Sequence, residues 1–201
     1  MLARALALNV LLLSTALFWC LPVLAHPHVW VSASASFKFN QSELLRIGLR
    51  WQFDPFFSQV LITDFDESGD GSLDDKETAA MKQQIFTSLQ EFDYFTHVNA
   101  SGQKVQFDRV ENFFTETNDG ELVFVFDLVI AEPIDVSVTP VNVSLYDPSI
   151  YVDIMFLGDT PVNVLGTGGA NCSWKFTDGA EVQSESWFLT PQQIHLTCGG
   201  P

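Results

Sequence analysis

The feature that most constrains this chain is a twelve-residue run, residues 66–77, reading Asp-Glu-Ser-Gly-Asp-Gly-Ser-Leu-Asp-Asp-Lys-Glu. Calcium is a hard cation that takes six to eight oxygens, and an EF-hand loop supplies them at positions 1, 3, 5, 7, 9 and 12. Asp66, Ser68 and Asp70 stand at positions 1, 3 and 5. Gly71 stands at position 6, where the chain must turn sharply. Ser72 at position 7 offers its backbone carbonyl, Asp74 at position 9 can hold a bridging water, and Glu77 at position 12 can close the shell with two oxygens. Leu73 is the one apolar residue, aimed at a core. The pattern is filled at nearly every position, which sets it apart from an ordinary acidic turn.

The flanks read as helices. Asp54 and Pro55 form an N-cap and a first-turn proline. Phe56, Phe57, Val60, Leu61 and Phe65 then recur at helical spacing. After the loop, Asp74, Asp75 and Glu77 lie where a helix N-terminus favours negative charge, and Ala80, Met81, Ile85, Leu89 and Phe92 continue an apolar stripe. The expectation is a helix–loop–helix inserted at about 54–93. Such loops usually pair, and no second one is present, so pairing across a homodimer or packing of Leu73 on the rest of the domain would have to replace the partner.

Residues 1–25 read as a secretory signal peptide, with Arg4 as the positive start, an apolar run from Leu6 to Leu21, and Val23-Leu24-Ala25 before a cleavage point at His26. The expected location is the periplasm. Cleavage would leave residues 26–201, enough for one domain with its own core. It would also leave two cysteines, Cys172 and Cys198, which in an oxidising compartment are expected to bridge. The full chain carries 25 acidic and 9 basic side chains, a formal net charge of −16. That balance repels phosphate backbones, so a nucleic-acid partner is excluded, and it attracts cations.

The rest of the chain alternates with period two. Val29, Val31, Ala33, Ala35, Phe37 and Phe39 share one face of a half-buried strand. Leu45, Ile47, Leu49, Trp51 and Phe53 repeat the pattern with Arg46, Arg50 and Gln52 opposite. A hairpin turn is expected at 100–103 and another at 118–120. Leu122 to Ile130, the valines around Pro140 and residues 151–157 supply further strands. Beyond Gly158 the signal weakens. The expected fold class is α+β: one β-rich, antiparallel, sandwich-like domain carrying the EF-hand insertion.

A second candidate site is the new N-terminus. His26-Pro27-His28 would offer an α-amine and two imidazoles, ligands suited to nickel, cobalt, zinc or copper. Pro27 has no amide proton, so the square-planar mode through deprotonated amides is blocked. Two ordinary histidines at a strand start remain the alternative. His97 and His195 are lone histidines.

The run His26-Pro27-His28-Val29-Trp30, together with Trp51-Gln52-Phe53-Asp54, Asp64-Phe65-Asp66, Tyr94-Phe95-Thr96 and residues 146–152, resembles a bacterial periplasmic family of unknown function. Its members are labelled the periplasmic component of an uncharacterised ABC-type transport system. The resemblance implies a membrane permease as partner, of the nickel/cobalt or ABC type. Three functional readings stand. The first is a non-enzymatic periplasmic accessory protein that holds calcium at Asp66, Ser68, Asp70, Ser72, Asp74 and Glu77, with a transition metal at His26 and His28. The second is a copper enzyme built on the N-terminal His26. The third is an envelope module stiffened by calcium. No Gly-x-Ser-x-Gly elbow and no His-Glu-x-x-His helix points to a hydrolase.

Overall fold

Alternation builds the first two strands, and they pair as a long antiparallel hairpin. The computed structural model describes residues 28–166, 171–183 and 188–199. β1 (Val29–Asn40) buries the six apolar residues of its inner face and leaves the intervening serines half-exposed. β2 (Glu43–Phe53) returns beside it, from Val31 opposite Phe53 to Asn40 opposite Glu43. The inner face of β2 is not continuous. The register against the neighbouring strand shifts between Leu44 and Arg46, so Leu44 is buried and the expected Leu45 is not. A bulge places one extra residue on one strand and flips which neighbour faces inward.

β5 (Phe107–Asn118) and β6 (Glu121–Asp135) extend this sheet on the β2 side. They are joined by the expected tight turn, in which Asp119 and Gly120 both take positive φ (51° and 82°). The other edge of β1 departs from the antiparallel expectation. β8 (Val152–Phe156) pairs with the first half of β1 and β9 (Val162–Gly166) with the second, and both run parallel to it. The sheet is therefore mixed. Parallel pairing needs a long crossover, and period-two reading of single strands cannot reveal its direction.

The second sheet runs β10 (Cys172–Asp178), β13 (Gln192–Cys198), β7 (Val141–Leu145), β3 (Thr96–Ala100) and β4 (Gln103–Lys104). β11 (Val182–Gln183) and β12 (Phe188–Leu189) form a separate small hairpin. Of the valines around Pro140, only those after it enter a strand; Val138 is exposed. Both sheets feed one hydrophobic cluster, with Trp51, Phe37, Phe124, Phe126 and Ile194 fully buried within it. Cys172 and Cys198 are direct cross-strand partners and form the expected disulfide. Closing that 26-residue separation contributes about 3.5 kcal/mol on the chain-entropy model.

Between β2 and β3 lie two helices, α1 (Pro55–Phe65) and α2 (Asp75–Gln84), followed by 3₁₀ turns over Phe86–Phe95. Helices thus flank residues 66–74 on both sides. The arrangement differs from expectation in which faces are buried. In α1 the buried stripe is Ser58, Leu61, Ile62 and Phe65, while Phe56 and Val60 face out. Both sides of this helix are apolar, so spacing alone does not choose between them. The second helix stops at Gln84, Phe86 takes the core position, and Phe92 is exposed. Asp93, Tyr94 and Phe95 all adopt positive φ. Left-handed backbone costs a non-glycine residue about 1–2 kcal/mol. Tyr94 stacks on Phe86 and Phe95 on Trp51, so burial of those rings holds the turn.

The outer face of the first sheet contains one buried acid. Asp127 is 3% exposed; its Oδ1 accepts from Lys38 Nζ at 2.6 Å and its Oδ2 from Asn112 Nδ2 at 2.7 Å. Gly48 is its cross-strand partner, and a Cβ there would stand 2.8 Å from Asp127 Oδ1 and 3.2 Å from Lys38 Cε. Gly48→Ala is therefore expected to destabilise by about 2 kcal/mol through overpacking. Urea unfolding checks this, and a midpoint equal to the parent's would show that the pair moves aside at no cost.

Candidate metal centre

The residues 66–77 fold as a closed ring of hydrogen bonds around their own carboxylates. Asp66 ends α1: its N–H donates to Ile62 O. Its Oδ1 accepts from Gly69 N at 2.6 Å and from Ser68 Oγ at 3.0 Å, and its Oδ2 accepts from Gly71 N at 2.8 Å. Gly71 has φ +84°, a conformation that side chains rarely adopt. Asp70 Oδ1 accepts from Ser72 N and Ser72 Oγ at 2.9 and 2.7 Å. Asp74 caps α2 by accepting from Glu77 N at 2.8 Å.

Glu77 closes the ring. It is 3% exposed. One oxygen, Oε2, accepts from Asp74 N at 2.8 Å and completes a capping box. The other, Oε1, reaches across to accept from Ser68 N at 2.9 Å. A single buried carboxylate thus ties loop position 3 to the first turn of the second helix. Lys76 and Glu67 add an exposed ion pair at 2.6 Å, of the kind that contributes little.

The donors have an electrostatic consequence. The Gly71 N–H, then those of Gly69 and Asp70 and the Ser68 hydroxyl, hold the Asp66 carboxyl below the ordinary 3.8. The Ser72 hydroxyl and N–H do the same for Asp70, against opposing repulsion from Asp66. A depressed carboxyl contributes stability above its unfolded pKa and loses it as the pH falls through the folded one. That contribution is therefore present at neutral pH and lost only in acid.

The donor set is all oxygen, which fits a hard cation and not a thiophilic one. Among the described residues, however, no three His, Cys, Asp or Glu side chains stand close enough together to hold a metal ion. The carboxylates are engaged by N–H groups of the loop itself. Asp66, Ser68, Asp70, Ser72, Asp74 and Glu77 lie in one short loop, but calcium would have to draw Asp70, Asp74 and Glu77 inward in exchange for the hydrogen bonds above.

The platform beneath the loop is rigid. Leu73 turns into the core, as its apolar character requires. Ser58, fully buried in α1, donates to Phe53 O at 3.2 Å and accepts from Leu122 N at 2.9 Å, locking the first helix onto β6. Thr78 of α2 meets Thr115 of β5, oxygen to oxygen at 2.6 Å. Asp54 accepts from Phe57 N as the expected cap, and its second oxygen accepts from Trp30 N, so the start of α1 is also tied to β1. Leu73 and the Asp54 cap follow from the sequence, whereas Ser58, Thr78 and the bond from Trp30 to Asp54 carry no periodic signal.

Among the described residues the histidines do not assemble. His26 lies outside the described residues. His28 is exposed at the start of β1, its ring 4.9 Å from that of Tyr151. His97 and His195 both sit on the second sheet, bonded to Tyr146 O and Asn142 Oδ1.

A family model for a protein of unknown function, DUF1007, matches residues 11–191, spanning the loop, the first sheet and the second sheet up to the start of β13. The chain belongs to the DUF1007 family. Two uncharacterised proteins are also similar to it. An uncharacterised 15.5 kDa protein in the trpE 3′ region of Spirochaeta aurantia is 30% identical over 137 residues, 68% of this chain and 97% of that protein. An uncharacterised protein of Haemophilus influenzae is 23% identical over 168 residues, 81% of this chain and 77% of that one. Among the described residues of this DUF1007 chain, no helix is long and apolar enough to cross a membrane.

Proposed function

We propose that this protein is a calcium-braced, non-enzymatic accessory protein of the periplasm, with calcium held by Asp66, Ser68, Asp70, Ser72, Asp74 and Glu77 in an EF-hand. The observation that carries the reading is Glu77. A buried carboxylate that already joins the two ends of an acidic loop is placed to trade its N–H partners for an ion. Calcium, when bound, supplies charge neutralisation to a loop whose six acids, four of them ligands, otherwise repel. The protein's own groups supply the rest. Gly71 makes the turn, Leu73 seats the loop, and Ser58 and Thr78 hold the helices to the first sheet.

An EF-hand outside the cytosol works at affinities on the order of 10⁻⁴–10⁻³ M. In that range the ion acts as a brace and not as a signal. The partner we assign is a membrane permease of a metal or ABC-type transport system, on the strength of the resemblance carried by the N-terminal histidine motif and the loop.

Isothermal titration of the processed protein with calcium tests the reading. The expected result is one saturable site per chain in the stated range. Absence of any heat or melting shift in about 10 mM calcium, far above such a dissociation constant, would overturn it.

A further inference from the structure

Outside the loop, polar chemistry concentrates on the outer face of the second sheet. Val98, Val143 and Ile194 of its strands point into the core, so the alternate positions face away. Register brings these into two rows. His97, Ser144 and Gln193 lie abreast. Two residues along, Lys104, Asn99, Asn142, His195 and Lys175 lie abreast across all five strands. A cleft of about 300 Å³ is lined by His97, Asn99, Lys104 and Asn142, with Val182 and Pro191 from the connection between β10 and β13 completing it.

The hydrogen-bond accounting of this cleft is one-sided. Asn99 Oδ1 accepts from Gly102 N at 2.9 Å. Asn142 Oδ1 lies 2.7 Å from His195 Nδ1, and an amide oxygen only accepts, so that nitrogen donates. Both amide oxygens are therefore engaged within the protein. The two Nδ2 groups remain as donors, on residues that are direct cross-strand partners. Lys104 adds an ammonium, shared with Asp93. His97 gives its Nε2 proton to Tyr146 O and stacks on the Tyr146 ring, with 3.7 Å between centroids. Burial holds His97 below its ordinary value, so it is neutral at pH 7 and the charge in the cleft comes from Lys104.

What the cleft leaves out matters as much. The chain carries 25 acids. Yet no Asp or Glu is among the described residues lining this cleft, or among those lining the adjoining groove at Ser173, Lys175 and His195. The nearest carboxylate, Asp93, is taken up by Lys104 at the rim, so the lining itself offers mainly donors and matches a ligand rich in acceptors. We propose that this cleft binds a small ligand through an oxyanion group, carboxylate or tetrahedral, held by Asn99 Nδ2, Asn142 Nδ2 and Lys104 Nζ. The site is separate from the calcium loop and does not depend on it.

The test is a titration of the processed protein followed by nitrogen-edited NMR, with sulfate and succinate as probes and chloride at matched ionic strength as the control. Saturable shifts of the Asn99 and Asn142 side-chain amides, absent with chloride, are the expected result. The better of the two probes identifies the oxyanion class. Asn142→Asp keeps an oxygen for His195 but replaces the NH₂ donor by charge, and is expected to weaken binding by at least about tenfold with an unchanged melting temperature. Lys104→Ala, at an exposed position, is expected to weaken both probes. No saturation with either probe, shifts equal to those from chloride, or full affinity in Asn142→Asp would each overturn the proposal.

Discussion

In calcium-free buffer, Glu77→Gln is expected to lower stability by about 1.5 kcal/mol, and in calcium the deficit is expected to grow to about 3–4 kcal/mol. The first part is geometric. Glu77 accepts from two N–H groups, Ser68 and Asp74, one on each oxygen. Glutamine keeps one oxygen and turns an NH₂ toward the other donor, so one charge-assisted bond becomes a donor–donor conflict in a 3% exposed site. The second part is linkage. With a dissociation constant on the order of 10⁻⁴–10⁻³ M, calcium at about 10 mM stabilises the parent by about 1.4–2.7 kcal/mol, and a variant lacking the position-12 carboxylate forgoes it. For a chain of this size the combined loss corresponds to a melting shift on the order of 10 °C. Calorimetry of both proteins with and without calcium separates the two roles. A deficit identical in both buffers would make Glu77 a helix cap and nothing more.

The two helices that flank residues 66–74 were legible in the sequence because their signals are local. Six oxygen-bearing positions and a glycine within twelve residues specify a ring whose closure needs nothing from elsewhere, and Asp54, Pro55 and Asp74 mark helix starts by contacts three residues away. The strands β1, β6 and β8 were legible for the same reason: alternation reports a buried face directly. What alternation cannot report is partnership. β8 and β9 run parallel to β1 along successive halves of one edge, and nothing in either segment announces that direction. The bulge after Leu44 moved a leucine from one face to the other without altering the composition. The oxyanion cleft was invisible for the deeper version of this reason. Asn99, Asn142 and His195 are far apart in the chain, individually ordinary, and become a row only when three strands pair in register. His97 and His195 were read as lone residues, which each is in sequence; the sheet makes them neighbours of one surface.

The same distinction between local and assembled structure predicts where the fold is weakest to mutation. Phe86→Ala is expected to cost about 4 kcal/mol, within the range for a fully buried phenylalanine, and more than its own burial would suggest for the segment around it. Phe86 is 1% exposed and contacts four rings: Tyr94, Phe113, Phe124 and Phe126, with centroids 5.2, 4.3, 6.1 and 4.8 Å away. Two of those rings belong to β6, one to β5, and one to the left-handed turn at 93–95. Removing the ring leaves a cavity between helix and sheet and withdraws the partner on which Tyr94 stacks. The strained turn then loses part of what holds it, and the backbone can relax toward ordinary φ. Met81, fully buried on α2, would remain as an anchor, so the loop itself should still form and still respond to calcium, with a melting shift on adding the ion close to the parent's. Urea unfolding gives the cost, and hydrogen exchange at Tyr94 and Phe95 locates it. A cost below about 2 kcal/mol, the floor for large buried side chains cut to alanine, would mean the surrounding rings collapse into the space and the aromatic cluster is not what fastens the helical segment to the sheet.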